Sequence, residues 1–306
     1  MRIPSLVVLL SFINVQLFAL IVGLLFIVKQ TIEPIVENPD SVDNSFFFFG
    51  YIVVSALVML VVLKFYKGKR LFQILELLLL FVTANIFFSL LFDENVFSFA
   101  FVVFSLRFDV SLALVAGLLA VAIRLKFENQ KNLLLIFSTA VIGAFLGFSL
   151  DILPAAVLAA LLSAYDFAAV FMTKHMVALA EGLRDRGASF SISFPAGSEK
   201  KKTTSIPISA KKGGGAKVTK TVTTYGKAEI VELGTGDLVI PAMLIVAALK
   251  LSIAHALITL IGASIGIFAL FYYIDKKKGY WPALPPIVGG ALLFLIIYSY
   301  LPFKFG

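Results

Sequence analysis

The sequence contains no cysteine among its 306 residues. This absence excludes a disulfide-stabilised secreted scaffold, thiol catalysis, and zinc or iron–sulfur sites with cysteine ligands. Histidine is also scarce, with two residues, so a metal site built from several histidines is not expected. Charged residues make up 14% of the chain, against about 25% in a typical soluble domain. A soluble protein needs more polar side chains than this to cover its surface, so the composition excludes that class.

Hydrophobic residues make up 60% of the chain and are gathered into segments close to the ~20 residues that cross a bilayer core. The pattern predicts an all-α membrane protein with nine transmembrane helices, because a spanning segment must bond its own backbone groups. The first segment is too long for the apolar part of a signal peptide and has no small-residue cleavage site, so it is expected to be a permanent transmembrane helix. The predicted spans are 5–29, 46–66, 71–92, 97–125, 132–150, 152–180, 230–250, 252–274 and 281–301.

The polar turns between these segments alternate in charge. Acidic residues dominate the loop 30–45 and the turns near Asp93 and Asp151, whereas most of the 26 Lys and Arg residues lie in the other turns. The positive-inside rule places the basic turns in the cytoplasm, which predicts a cytoplasmic N-terminus and, after nine crossings, an extracytoplasmic C-terminus. The net charge of +8 then reflects topology, and nucleic acid is not an expected partner.

A polar segment divides the chain into helices one to six (1–180), residues 181–229, and helices seven to nine (230–306). Residues 181–229 hold ten Lys and Arg residues and a run of three glycines, which favours a flexible cytoplasmic loop. The stretches 189–194 and 217–225 alternate in polarity like strands, so a short hairpin near the membrane surface is the alternative.

Ionisable residues inside predicted spans are functional candidates, because a charge in hydrocarbon is costly. Asp166 lies near the middle of the sixth helix and Asp237 near the start of the seventh. At 1.5 Å per residue, both lie roughly 8–12 Å below the inner boundary of the membrane, so the two antiparallel helices can bring the carboxylates together. Glu76, close to the inner end of the third helix, is expected to snorkel or to pair with a lysine.

Two close carboxylates in a site of low dielectric constant are expected to share one proton. The ionised carboxylate can take a proton from water, while the protonated one can hydrogen-bond a scissile carbonyl and protonate the leaving amine. The same pair can also relay protons or bind cations in a channel or transporter. The pair alone therefore leaves an enzyme and a conduction pathway open.

Glycine and proline accompany the two aspartates. Gly234 and Gly236, just before Asp237, let another backbone approach and weaken the helix, although small-residue helix packing would also explain them. Residues 281–286, with the sequence Trp-Pro-Ala-Leu-Pro-Pro, lack three backbone N–H groups. A rigid, partly non-helical segment at membrane depth is expected to line a cavity or to be buried in protein.

Three motifs occur in order on predicted helices six, seven and nine: Tyr165-Asp166, Gly234-x-Gly236-Asp237 and Pro282-Ala283-Leu284. On a nine-helix chain they resemble the presenilin and signal peptide peptidase family of GxGD intramembrane aspartyl proteases, and within it the archaeal presenilin homologues. The resemblance implies that Asp166 and Asp237 are the catalytic pair. It also implies that Tyr165 lines the site, that Gly234 and Gly236 admit the substrate, and that Pro282, Ala283 and Leu284 hold the active-site wall.

The resemblance further implies a multi-pass peptidase, in the cell membrane of an archaeon, that cuts transmembrane peptides or proteins within the bilayer. Such an enzyme uses water and neither a metal nor an organic cofactor, and the sequence leaves a homo-oligomer open. A prepilin-type peptidase shares a GxGD-like aspartate, but that alternative leaves Pro282-Ala283-Leu284 unexplained. A proton- or cation-conducting channel or transporter is the alternative outside the enzymes.

Overall fold

The computed structural model describes residues 3–30, 32–66, 68–92, 98–103, 106–127, 131–172, 182, 191–195, 201–207, 219–225, 230–276 and 281–300. In these ranges the chain forms nine helices and six strands. The helices are α1 (Ile3–Lys29), α2 (Asp43–Phe65), α3 (Arg70–Leu91), α4 (Leu112–Lys126), α5 (Lys131–Ser149), α6 (Ile152–Phe171), α7 (Gly236–Leu249), α8 (Ile253–Lys276) and α9 (Leu284–Tyr300). The strands are β1 (Ser98–Val103), β2 (Leu106–Ser111), β3 (Ser191–Pro195), β4 (Lys201–Pro207), β5 (Thr219–Tyr225) and β6 (Ile230–Gly234).

Among the described residues, six helices are long and apolar enough to cross a membrane: α1, α2, α3, α5, α6 and α8. Helices α7 and α9 are also apolar but shorter, with 14 and 17 residues. Large hydrophobic side chains remain exposed along the outer helices, including Ile21, Val54 and Leu118. The helical bundle is therefore apolar on its outside as well as in its core, as the composition predicts.

The prediction of a single helix over 97–125 was wrong. Residues Ser98–Val103 and Leu106–Ser111 form an antiparallel hairpin, with Ser98 opposite Ser111. Helix α4 begins only at Leu112, where the Ser111 hydroxyl accepts a hydrogen bond from the N–H of Leu114. The segment is rich in Phe and Val, which fit a strand at least as well as a helix.

Two other predicted helices begin later than expected. Residues Ile230–Gly234 form strand β6, and α7 begins at Gly236, because two glycines at this point disfavour continued helix. The ninth helix begins at Leu284 rather than at residue 281. The described part of the sixth helix ends at Phe171, and residues 173–180 of that prediction lie outside the described residues.

Strands β3 and β5 overlap the two stretches that alternate like strands, 189–194 and 217–225, but they do not pair with each other and so do not form a hairpin together. Strand β3 pairs antiparallel with β6, and β4 pairs antiparallel with β5. Strand β4 begins at Lys201, inside the part expected to be flexible, whereas the three-glycine run lies outside the described residues. The β3–β6 pair leads directly into α7.

Helix α7 is the centre of the bundle and packs against α1, α5, α6, α8 and α9. Residues 240–249 are all buried, as expected for a helix that is apolar on every face. Glycines on α5 allow the close approach. A Cβ at Gly143 would lie 2.5 Å from the Cβ of Ala242, and one at Gly147 would overlap the carbonyl oxygen of Met243. This packing fixes the position of the helix that carries Asp237.

Substituting Gly147 tests this packing. Gly147→Ala is expected to lower the free energy of unfolding in detergent by about 1–3 kcal/mol, because the carbonyl of Met243 cannot rotate away from the added methyl group. Gly50→Ala is the matched control, since nothing lies within 4 Å of its added Cβ and alanine favours helix. Denaturant titration compares the two variants, and equal stabilities would contradict the close approach of α5 to α7.

Candidate active site

Asp166 lies on the inner face of α6. Leu158 and Leu162 precede it at intervals of four residues and are buried, and Asp166 itself is 8% exposed. Residues four apart share one face of a helix. The fold therefore turns this carboxylate into the bundle by the same periodicity that buries the leucines.

The carboxylate of Asp166 is held by the beginning of α9. The N–H of Leu284 donates to its Oδ2 at 3.2 Å, and the backbone of Ala283 also interacts with the carboxylate. The first N–H groups of a helix have no partner within that helix, and Pro285 and Pro286 have no N–H at all. Leu284 therefore supplies its donor at a helix N-terminus, where negative charge is favoured.

Asp237 lies in the first turn of α7 and reaches back towards the strand before it. Its Oδ2 accepts a hydrogen bond from the N–H of Gly234 at 3.3 Å. A Cβ at Gly234 would lie 3.2 Å from the same oxygen, whereas nothing lies within 4 Å of a Cβ at Gly236. The first glycine thus fits against the carboxylate, and the second borders open space.

The two carboxylates come from helices α6 and α7, which pack against each other. Helix α9, which holds Asp166, also packs against α6. The structure thus brings together Asp166, Asp237, Gly234, Ala283 and Leu284, five of the residues singled out in the sequence.

Aromatic side chains occupy the edge of this group. The ring of Tyr165 contacts that of Phe49 on α2 edge-on, with 6.2 Å between the ring centroids. Trp281 packs edge-on against Phe171 of α6 and Tyr273 of α8, at 5.5 and 4.7 Å. The buried Pro282 follows it. These contacts fix the segment before α9 against two neighbouring helices.

Glu76 pairs with an arginine, so the expectation of a lysine partner was wrong. Both Nε and one terminal nitrogen of Arg124 donate to its Oε1, at 3.0 and 2.9 Å, across the contact between α3 and α4. A guanidinium presents two parallel N–H groups, which an ammonium cannot do. Arg124 thus bonds across the contact between two helices of the bundle.

Gln16 on α1 was not a candidate on sequence grounds, yet it contacts the helix that carries Asp237. Its side chain is fully buried, and its Nε2 donates to the carbonyl oxygen of Leu238 at 3.2 Å. The available signal was an amide in the middle of an apolar span. Amides in such spans commonly bond between helices, but the sequence did not show which helix would be the partner.

A sequence model of the family described as signal-peptide peptidase, presenilin aspartyl protease matches residues 8–301. This chain belongs to that family. The match confirms the resemblance carried by the three motifs. No curated protein sequence matches the chain at a significant level.

Two solved structures, each described as a presenilin family intramembrane aspartate protease, have the same fold. The one in space group C222 is 22% identical with a TM-score of 0.62, and the one in P2 is 24% identical with a TM-score of 0.63. Each similarity covers 97% of this chain and 99% or 98% of the other chain. The protein is accordingly a presenilin-type aspartyl protease, a hydrolase that spans the membrane several times.

Proposed function

We propose that this protein hydrolyses peptide bonds within transmembrane segments, with Asp166 and Asp237 as the catalytic pair. The observation that carries the proposal is the placement of two carboxylates on helices that pack together, each held through Oδ2 by a backbone N–H. The donor to Asp166, Leu284, belongs to the Pro-Ala-Leu motif, and the donor to Asp237, Gly234, belongs to the same motif as that aspartate. All three motifs therefore contribute to a single site. An aspartyl protease requires two carboxylates, and this site supplies them.

The chemistry follows from one proton shared between two carboxylates. The ionised aspartate takes a proton from water, and the water oxygen attacks the scissile carbonyl carbon while the protonated aspartate hydrogen-bonds the carbonyl oxygen. The resulting tetrahedral intermediate then loses the amine, which leaves with a proton from the pair. The aspartates thus supply both acid and base, and these steps use water with neither a metal nor an organic cofactor.

The other motif residues shape the site in this proposal. Gly236 borders open space beside Asp237 and admits the substrate backbone, while Pro282, Ala283 and Leu284 form the wall that holds Asp166. Tyr165 lines the side towards α2, where its ring contacts Phe49.

Strands β3 and β6 are placed to receive an unwound substrate. A transmembrane helix has its amides already bonded, so it must lose those bonds before hydrolysis. Among the described strands, β3 and β6 pair only with each other, and β6 ends at Gly234 beside Asp237. An extended substrate added to the outer edge of this pair would regain backbone hydrogen bonds next to the catalytic pair.

The proposed topology has nine crossings, a cytoplasmic N-terminus, a cytoplasmic segment 181–229 and an extracytoplasmic C-terminus. Besides charge alternation, the packing of α1 on α7 supports it. Gln16 contacts Leu238, and Gly23 approaches Val246 about two turns further along both helices. The two helices therefore run in the same direction, as first and seventh crossings must.

Substituting either aspartate tests the catalytic assignment. Asp166→Asn and Asp237→Asn are each expected to lower kcat for a helical membrane peptide in liposomes by about 100-fold to 10,000-fold, because each loses a group that transfers protons. Asp40→Asn is the control, since it removes an exposed carboxylate between α1 and α2. Undiminished cleavage by either active-site variant would contradict the proposal, and aspartate-dependent ion flux without cleavage would favour a channel or transporter.

The two glycines before Asp237 are expected to differ when each is changed to alanine. Gly234→Ala pushes against the Asp237 carboxylate and should lower kcat by about tenfold to 100-fold. Gly236→Ala meets no atom of the protein, so it should spare kcat and raise KM if the substrate passes there. Steady-state kinetics of both variants would separate these effects, and an unchanged kcat for Gly234→Ala would contradict the assigned contact.

The absence of cysteine makes the topology directly testable, because one introduced thiol is the sole site for maleimide. Ser41→Cys, in the loop before α2, should react with a membrane-impermeant maleimide in intact cells. Ser205→Cys, in β4, should react only after the membrane is opened. The cysteine-free parent gives the background, and the reverse labelling pattern would overturn the orientation.

A further inference from the structure

Gln16 has a hydrogen bond that links α1 to the first turns of α7. The amide is fully buried, and its Nε2 donates to the carbonyl oxygen of Leu238, the residue after Asp237. Nearby residues on the same face of α1, Phe12 and Ala19, are buried and apolar. The contact therefore brings one polar group into an otherwise apolar helix packing.

This hydrogen bond is poorly explained as a contribution to stability. The other end of the amide, Oε1 of Gln16, is buried and has no hydrogen-bond partner among the described residues. The net gain from one neutral hydrogen bond is smaller than the cost of an unpaired buried acceptor. An apolar side chain of the same length would fill this position without that cost.

The first turn of α7, in contrast, is stabilised by few interactions within the helix itself. Gly234 and Gly236 have no side chains to pack, and Pro241 has no N–H to give to the carbonyl of Asp237. The N–H groups of Leu238 and Val239 both donate to one acceptor, the carbonyl oxygen of Thr235, at 3.1 and 2.9 Å. The turn that carries Asp237 therefore depends on contacts from outside α7.

Helix α1 is a rigid support for such a contact. Two turns beyond Gln16, a Cβ at Gly23 would lie 2.6 Å from a methyl carbon of Val246, so the helices pack in close contact. This close packing fixes α1 relative to α7, so the Gln16 amide is held at a fixed position beside α7.

We propose that Gln16 is a positioning residue that holds Asp237 in its catalytic orientation by anchoring the carbonyl of Leu238. The inference rests on the proposed function, in which Asp237 is one of the two catalytic groups. Gln16 does not touch the reacting atoms, and it acts through the backbone of α7.

The experiment replaces Gln16 in the full-length enzyme and measures cleavage of a helical membrane peptide in liposomes. Gln16→Met keeps the length of the side chain and removes the donor. It should lower kcat by about tenfold to 100-fold, leave KM unchanged, and leave Tm unchanged or higher. Binding of a transition-state-type aspartyl protease inhibitor should weaken in proportion to kcat.

Two further variants separate positioning from packing. Gln16→Glu carries an O–H donor when protonated, so at acidic pH its kcat relative to wild type should exceed that of Gln16→Met. Asn14→Leu is the matched control, because the exposed Asn14 amide bonds to Leu10 of its own helix and its loss should leave kcat unchanged.

The outcomes distinguish this inference from the proposed function. If Asp237→Asn is inactive and Gln16→Met has wild-type kcat, the positioning role is wrong and the catalytic pair stands. If Gln16→Met and Gln16→Glu lose kcat equally and both lose Tm, Gln16 is structural and the inference is overturned. If Asp237→Asn still cleaves, the proposed function is wrong, and the positioning role of Gln16 is wrong with it.

Discussion

A carboxylate inside an apolar helical bundle needs hydrogen-bond donors, and few side chains at that depth can provide them. The described structure meets this need with the backbone, at the places where helices begin. The N–H of Leu284 at the start of α9 bonds Asp166, and the N–H of Gly234 just before α7 bonds Asp237. A helix interior cannot offer such donors, because its N–H groups are already bonded.

The glycine and proline motifs follow from this constraint. Glycines end strand β6 and start α7 late, so the backbone near Asp237 is extended and can donate. Prolines occupy the first turn of α9, where a missing N–H costs nothing, and leave Leu284 to donate. Irregular backbone at membrane depth is tolerated where protein covers it, and the close packing of α7 against five helices provides that cover. Gln16 extends the principle by bonding a backbone carbonyl beside Asp237.

Much of this arrangement could be predicted from the sequence, and the exceptions have a common cause. The apolar runs predicted the positions of most helices. The rise per residue predicted that Asp166 and Asp237 lie at a similar depth. Both predictions depend only on the local pattern of the sequence. The hairpin at 98–111 has the apolar composition of a span, so composition could not distinguish the two. The partners of Glu76 and Gln16 lie 48 and 222 residues away in the chain. Such contacts depend on how the helices pack in three dimensions, and this packing cannot be deduced from the local pattern of a single sequence.

A structure of the protein in a lipid environment, with a hydroxyl-containing, transition-state-type aspartyl protease inhibitor bound, would show directly whether the two aspartates act together. We expect the inhibitor hydroxyl to lie about 2.6–3.2 Å from a carboxylate oxygen of both Asp166 and Asp237. The N–H groups of Leu284 and Gly234 should still bond the two carboxylates. An inhibitor bound away from the pair, or carboxylates too far apart to share its hydroxyl, would contradict the assignment of Asp166 and Asp237 as the catalytic pair.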